Sequence, residues 1–303
     1  MFNTAKVSLS AFDSTFISIA RDCDFYCVAK IPTLTRHKLV PLSNIKYLKE
    51  IELHRDSIAG VICPPDLADK IPPELGCALS ENPVRDAYSI HGSLTQTRDH
   101  YWTTFESQVH ESVIVHPTAY ISPTNVIIEK GCKIGPNVTI MDKVIIGQGT
   151  SVGANSVIGT DAYEMTSVEG KPTLIDQAGG VKIGKGCVIL SGVTISRSTF
   201  PTWTKIGDYC SFDNLVHIAH DCQLGNRVKM TACSMLSGRA LIGDDVYIGP
   251  NATISNGIHI GERSTVSIGS VVVFDTPSDT RVTGNFAMEH KSFMRNLVKN
   301  KRT

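Results

Sequence analysis

Residues 206–272, IGDYCSFDNLVHIAHDCQLGNRVKMTACSMLSGRALIGDDVYIGPNATISNGIHIGERSTVSIGSVV, return an apolar side chain at every sixth position. The series is Ile206, Phe212, Ile218, Leu224, Met230, Leu236, Ile242, Ile248, Ile254, Ile260, Val266 and Val272. At about 100° per residue, successive members would point about 240° apart on an α-helix, so no helical stripe forms, and ordinary strand alternation does not keep so regular a step. A fixed short period is the mark of a solenoid. Four residues after each apolar position stands a small or β-branched one, such as Cys210, Val216, Cys222, Val228, Ser234 or Ala240. Glycine follows the apolar residue directly at Gly207, Gly225, Gly243, Gly249 and Gly261, which predicts turns at positive φ at those residues.

Three hexads per coil build a triangular parallel β-helix of eighteen residues per coil, with coils stacked at roughly 4.8 Å. The large aliphatics fill the prism, the i+4 residues pack near its corners, and each coil buries its inner face on its neighbours. The pattern resembles the left-handed β-helix of hexapeptide acyltransferases, an exception to the right-handed crossover rule. The expected class is mainly β: a left-handed parallel β-helix with a small α/β N-terminal domain and a short C-terminal helix.

The 303-residue chain has room for more than one domain, and no apolar run approaches the length of a membrane span. Formal net charge is zero and the basic residues are scattered, which argues against nucleic acid as a partner. The N-terminus, MFNTAKVSLSAF, has no basic region followed by an apolar core, so the expected location is cytoplasmic. The nine cysteines lack CxxC spacing. Cys132, Cys187, Cys210 and Cys222 fall at i+4 hexad positions and read as small buried hydrophobes.

Three regions are expected: an α/β nucleotide-sugar-binding-like domain at 1–108, the β-helix at 109–275, and a tail with a helix at 276–303. Within the first, Ser43–Arg55 (SNIKYLKEIELHR) reads as an amphipathic helix capped near Ser43 or Asn44. Ile58–Cys63 is a short buried strand stopped by two prolines. Asn82-Pro83 starts a second helix running toward Leu94. The prism is expected to begin near Val113, to continue through Ile121, Ile128, Ile134, Ile140, Ile146, Val152 and Ile158, and to leave through Pro277. Its rhythm fails over 159–182, where Glu169-Gly170 suggests a hairpin. It resumes at Ile183, Ile189 and Ile195 and fails again over Arg197–Lys205, where Phe200 and Trp203 are expected in an extruded loop. Interruptions of a regular scaffold commonly carry function. A basic helix is expected from about Met288 to Lys301.

The densest polar cluster in the prism is Phe212–Cys222, FDNLVHIAHDC. His220 stands at a turn with its side chain outward, Asp213 lies at the preceding corner, and His217 also faces out. An imidazole near its ordinary pKa accepts protons at neutral pH, and a carboxylate on its other nitrogen fixes the tautomer. Eighteen residues beyond His220, one coil above it, is Gly238, whose N–H is a candidate donor to an oxyanion. A metal site is the alternative, as in the hexapeptide-fold carbonic anhydrases that hold zinc with three histidines across a subunit boundary, but zinc needs at least three protein ligands and the three-residue separation of His217 and His220 does not resemble that family's spacing. No metal is expected.

At FDNLVHIAHDC the chain resembles the UDP-3-O-acylglucosamine N-acyltransferases of lipid A synthesis, whose motif has the form IDNxxxIAHN. The resemblance runs firmly over about 113–285. It implies that His220 is the general base, Asp213 its partner and Gly238 the oxyanion donor. The family's uridine motif, FxxNxxY, is met at Asn44 and Tyr47, with Pro41 where the aromatic stands. A second family histidine corresponds to Gly257, and the ending VTGNFAMEH is closer to that of sugar acetyltransferases using acetyl-CoA.

The resulting expectation is an acyltransferase that moves an acyl group from a pantetheine thioester, acyl-CoA or acyl carrier protein, to the amine of a nucleotide-linked amino sugar. No tightly bound cofactor is expected. Substrate would meet Asn44, Tyr47, Asn214, His217, Asp161 and Tyr163, in grooves between the subunits of a homotrimer. The alternatives are the lipid A enzyme proper, using acyl carrier protein, and a β-helix that serves as a scaffold without catalysis.

Overall fold

The computed structural model describes all residues except 1, 4, 14–16, 169, 285 and 301–303, together with the side chains of all these but 168, 293 and 297–300. Residues 108–282 form the prism: three parallel sheets of eight, eight and nine short strands, from Gln108–Val109 to Arg281–Val282. The register confirms the eighteen-residue coil, because Phe212 pairs with Met230, His217 with Met235 and Leu224 with Ile242. The hexad aliphatics and i+4 residues form one continuous core along the axis. This is a left-handed parallel β-helix. It starts several residues earlier than Val113, and after Pro277 the chain adds one more strand, Arg281–Val282, beside Thr265–Val266.

The turn chemistry differs from the expectation. Left-handed backbone occurs at the third residue after the apolar one, not at the glycine that follows it: Tyr209, Leu215, Asp221, Arg227, Cys233, Arg239, Asp245, Asn251 and Arg263 have φ from 56° to 65°. Asn and Asp tolerate this region best among side-chain-bearing residues, yet the prism imposes it on Leu215 and Arg239 as well. Gly207, Gly225, Gly243, Gly249 and Gly261 are needed for another reason: a Cβ on any of them would run into the backbone of the next coil.

The N-terminal region is a five-stranded sheet. Ser18–Arg21 lies antiparallel to Gly76–Leu79, followed across the sheet by Ile58–Cys63, Lys38–Pro41 and Cys27–Val28, all parallel to one another. The expected first helix is shorter than its apolar pattern: a 3-10 turn at Ile45–Tyr47, capped by the Asn44 side chain, leads into α1 (Leu48–Leu53). The second, α2 (Pro83–Gln96), starts where expected, with Asn82 accepting from the Arg85 N–H and Pro83 in the first turn. The last helix, α3, spans His290–Asn300, and its expected end at Lys301 lies outside the described residues.

The two interruptions hold this region to the prism. The first forms a hairpin, Met165–Val168 with Lys171–Leu174, whose Glu169 lies outside the described residues. The second does not extrude its aromatics. Phe200 is buried against His91 of α2 and stacks with Tyr88, while Trp203 meets Trp102 edge to face and Phe2 beside it. Trp102 Nε1 donates to Ala178 O at 2.7 Å, tying the end of the first interruption into the same core. Burial of large aromatic surface explains the inversion: a Phe and a Trp in a loop stabilise a junction far more than they would in solvent.

Candidate active site

His220 follows the strand His217–Ile218, which lies between Thr194–Ser196 and Met235–Leu236. Its ring is 6% exposed and borders a cavity of about 710 Å³ lined by Asp161, Tyr163, Glu164, His217, Gly238 and Arg239 among others. Gly238 stacks on it as the period requires, and a Cβ there would overlap the imidazole. Glycine at 238 is thus what admits the ring. The Gly238 N–H bonds to no group among the described residues, while its carbonyl accepts from Gly257, a left-handed corner one coil further on.

The carboxylate that orients His220 is Asp221, not Asp213. Asp221 Oδ2 lies 2.8 Å from Nδ1, and its other oxygen is bonded to Ser198 Oγ. The Thr204 hydroxyl accepts from the Asp221 N–H at 2.9 Å. With Asp221 on Nδ1, the neutral ring carries its hydrogen there and keeps the Nε2 lone pair toward the cavity, a tautomer assigned from the partner. Asp213 instead accepts from the amide and side chain of Asn214, whose own Oδ1 caps the Ser191 N–H. Seven residues carry Asp213 to a different corner of the triangle, so Asp213 and Asn214 hold a turn of the prism away from the cavity at His220.

Glu164, which precedes the hairpin, closes the other side of the ring. Its side chain is 11% exposed, with Oε2 at 3.3 Å from His220 Nε2 and 3.1 Å from Arg239 Nη1, and Oε1 paired with Lys30. Burial would raise its pKa, but Lys30, Arg239 and His220 together hold it below the usual carboxylate range. Burial, then the charge of Glu164, push the Tyr88 hydroxyl up to about 12. His217 is pushed below the ordinary histidine value by burial and then by His220. Asp161 reaches Arg197 Nε at 3.3 Å, and Arg197 also bonds Gly159 O and Asp142, which fixes the root of the loop. Tyr163 stays 88% exposed at the cavity edge.

Asn44 and Tyr47 are not part of this cavity. Asn44 is spent as a helix cap, and the Tyr47 ring lies under Lys46 Nζ at 4.8 Å while packing on the apolar cluster around Leu42 and Ile51. The structure thus gathers His220, Gly238, His217, Asp161 and Tyr163, and leaves out Asp213, Asn214, Asn44 and Tyr47. Sequence reasoning missed Asp221, Glu164, Arg239 and Lys30. Asp221 had a signal, since it adjoins His220 at a corner that favours Asp, and Glu164 had the break in the repeat that contains it; Lys30 had none, because it lies in the N-terminal region. Among the described residues no three His, Cys, Asp or Glu side chains are arranged to hold a metal ion.

Fold and repeat define a hexapeptide-repeat β-helix protein. The family model described as "Bacterial transferase hexapeptide (six repeats)" matches residues 125–160, and "Hexapeptide repeat of succinyl-transferase" matches 173–197 and 239–273. The chain is similar to UDP-3-O-acylglucosamine N-acyltransferase of Leptospira biflexa, 38% identical over 102 residues, covering 34% of this chain and 29% of the relative. It is likewise similar to acyl-[acyl-carrier-protein]–UDP-N-acetylglucosamine O-acyltransferase of Thermodesulfovibrio yellowstonii, 37% identical over 147 residues, covering 43% of this chain and 55% of the relative. The chain therefore spans about half, or less, of the length of these curated relatives. Among solved structures, UDP-N-acetylglucosamine acyltransferase from Campylobacter jejuni is 22% identical with a TM-score of 0.41, over 62% of this chain and 81% of the other. Among the described residues no helix is long and apolar enough to cross a membrane.

Proposed function

We propose that this protein transfers an acyl group from a pantetheine thioester to the amine of a nucleotide-linked amino sugar, with His220 as general base. The observation that carries this reading is the His220 ring: held by Asp221 at Nδ1, stacked on Gly238, with Nε2 beside Glu164 Oε2 at the border of a cavity large enough for a sugar and a thioester arm. Nε2 takes a proton as the amine nitrogen attacks the thioester carbonyl and the C–N bond forms. The Gly238 N–H, which lines the same cavity, is the donor we assign to the oxyanion. As the C–S bond breaks, the imidazolium returns the proton to the departing thiolate. No step calls for a metal or a tightly bound cofactor. The names of the relatives, which act on UDP-linked sugars, support the acceptor class.

Catalysis of this kind in the resembling acyltransferases belongs to trimers, and the prism leaves Val188, Leu190, Tyr209, Leu215 and Tyr247 exposed, apolar surface of the sort that self-association covers. We assign the protein to a homotrimer on that basis. A second reading, transfer from acyl carrier protein, is favoured by the name of the O-acyltransferase relative. An assay of purified protein with UDP-linked amino sugars and either acetyl-CoA or a hydroxyacyl carrier protein separates the two. Turnover with acetyl-CoA supports the short-chain reading, turnover with the carrier protein alone supports the second, and turnover with neither contradicts both.

A further inference from the structure

His220 Nε2 and Glu164 Oε2 face each other across 3.3 Å, and each is an acceptor when Nδ1 carries the imidazole hydrogen. Two acceptors at this separation oppose each other unless a proton sits on Nε2 or a donor comes between them. From this opposition we propose that Glu164 selects the acceptor atom, admitting an amine and rejecting a hydroxyl. The inference rests on the acyl-transfer reading above.

Valence separates the two acceptors. A nitrogen about 2.9 Å from both atoms completes a triangle with them at ordinary hydrogen-bond lengths. A neutral primary amine has two hydrogens and one lone pair. One N–H goes to Nε2, the other to Oε2, and the lone pair is left free to attack the thioester carbonyl. A hydroxyl has one hydrogen. It gives that to Nε2, and its oxygen lone pairs then confront a carboxylate that stays ionised, because Lys30 and Arg239 keep it so. The same two cations fix both carboxylate oxygens, so Glu164 cannot simply turn away. A substrate arriving as an ammonium first loses one proton to solvent; the second passes through Nε2 to the thiolate, and the balance is that of the transfer already described. The point is material for this chain, since its relatives include both N- and O-acyltransferases. Sites built around a donor on the substrate reject the analogue lacking it by about 10⁴–10⁵-fold.

The test is kcat/KM with acetyl-CoA for UDP-linked sugars that differ only in carrying an amino or a hydroxyl group, UDP-glucosamine and UDP-glucose being the first pair, in the wild type, Glu164→Gln and Glu164→Asp. The wild type is expected to favour the amine by about 10⁴-fold. Both variants should reduce that ratio at least ~10-fold, Gln because its amide can donate to a hydroxyl oxygen and Asp because the carboxylate is withdrawn. A wild-type ratio near one, or a ratio unchanged in whichever variant folds, overturns the role of Glu164 while leaving acyl transfer standing. Failure of the wild type on every acceptor, with acetyl-CoA and with a hydroxyacyl carrier protein alike, overturns the acyl-transfer reading, and this inference with it.

Discussion

Asp221 is separated from His220 by one peptide bond and reaches its Nδ1 because the left-handed corner at φ 60° turns the carboxylate back across the ring. The Ser198 hydroxyl and Thr204 Oγ1 then pin Asp221 from the second interruption. Asp221→Asn would present the wrong tautomer to the cavity, and kcat is expected to fall on the order of 10²–10⁴-fold. Asp213→Asn keeps an oxygen for the Asn214 N–H and should leave kcat within a few-fold. Steady-state kinetics on the two folded variants checks this, and equal losses would contradict the assignment. His220 and Gly238 were legible in the sequence because an eighteen-residue separation places one residue directly above another. Asp213 was misread because a seven-residue separation crosses a side of the triangle, where the period says nothing about contact.

Each hexad carries two separate demands that the sequence displays unequally. The glycine after the apolar residue is visible, but its purpose, clearance for the next coil, emerges only when coils are stacked. The left-handed corner falls on Tyr, Leu, Arg, Cys, Asp and Asn alike, so composition does not reveal it. The element with the sharpest chemical consequence outside the prism is α2, whose wholly buried His91 donates from Nε2 to Asp176 O (3.0 Å) and accepts at Nδ1 from Tyr101 Oη (3.1 Å). Burial lowers its pKa to about 4. The unfolded state then binds this proton at higher pH than the native state does. Stability from His91 is therefore present above about pH 6.5 and drains away as pH falls toward 4. Between neutral pH and pH 5 the loss from this group is about 2 kcal/mol. Urea denaturation at both pH values should show a steeper loss in the wild type than in His91→Gln; identical slopes would show that His91 does not govern the acid limb.

The molecule joins a prism whose period predicts most of its structure to an N-terminal sheet that the period does not touch. The β-helix, its eighteen-residue coil and both interruptions were readable because stacking repeats one short pattern many times. What the interruptions do was not readable. Phe200, Trp203 and Ala178 bury themselves against α2 and Trp102, while Glu164 of the same loops reaches His220 and Lys30. Docking and chemistry thus share two segments whose contacts are all distant in sequence, and such contacts have no local signature. The uridine motif is legible only as a spacing: Asn44 caps a turn and Tyr47 packs on the apolar cluster, both outside the His220 cavity. Acyl transfer through His220 is the step on which every role assigned to this cavity depends. Labelled acetyl-CoA, or in a parallel reaction a labelled hydroxyacyl carrier protein, incubated with UDP-linked amino sugars and intact protein should yield an N-acyl product with the wild type, and His220→Ala, folded and of the same oligomeric state, should form it about 10²–10⁴-fold more slowly. Equal rates for the two proteins, or no acylated sugar from either, would contradict it.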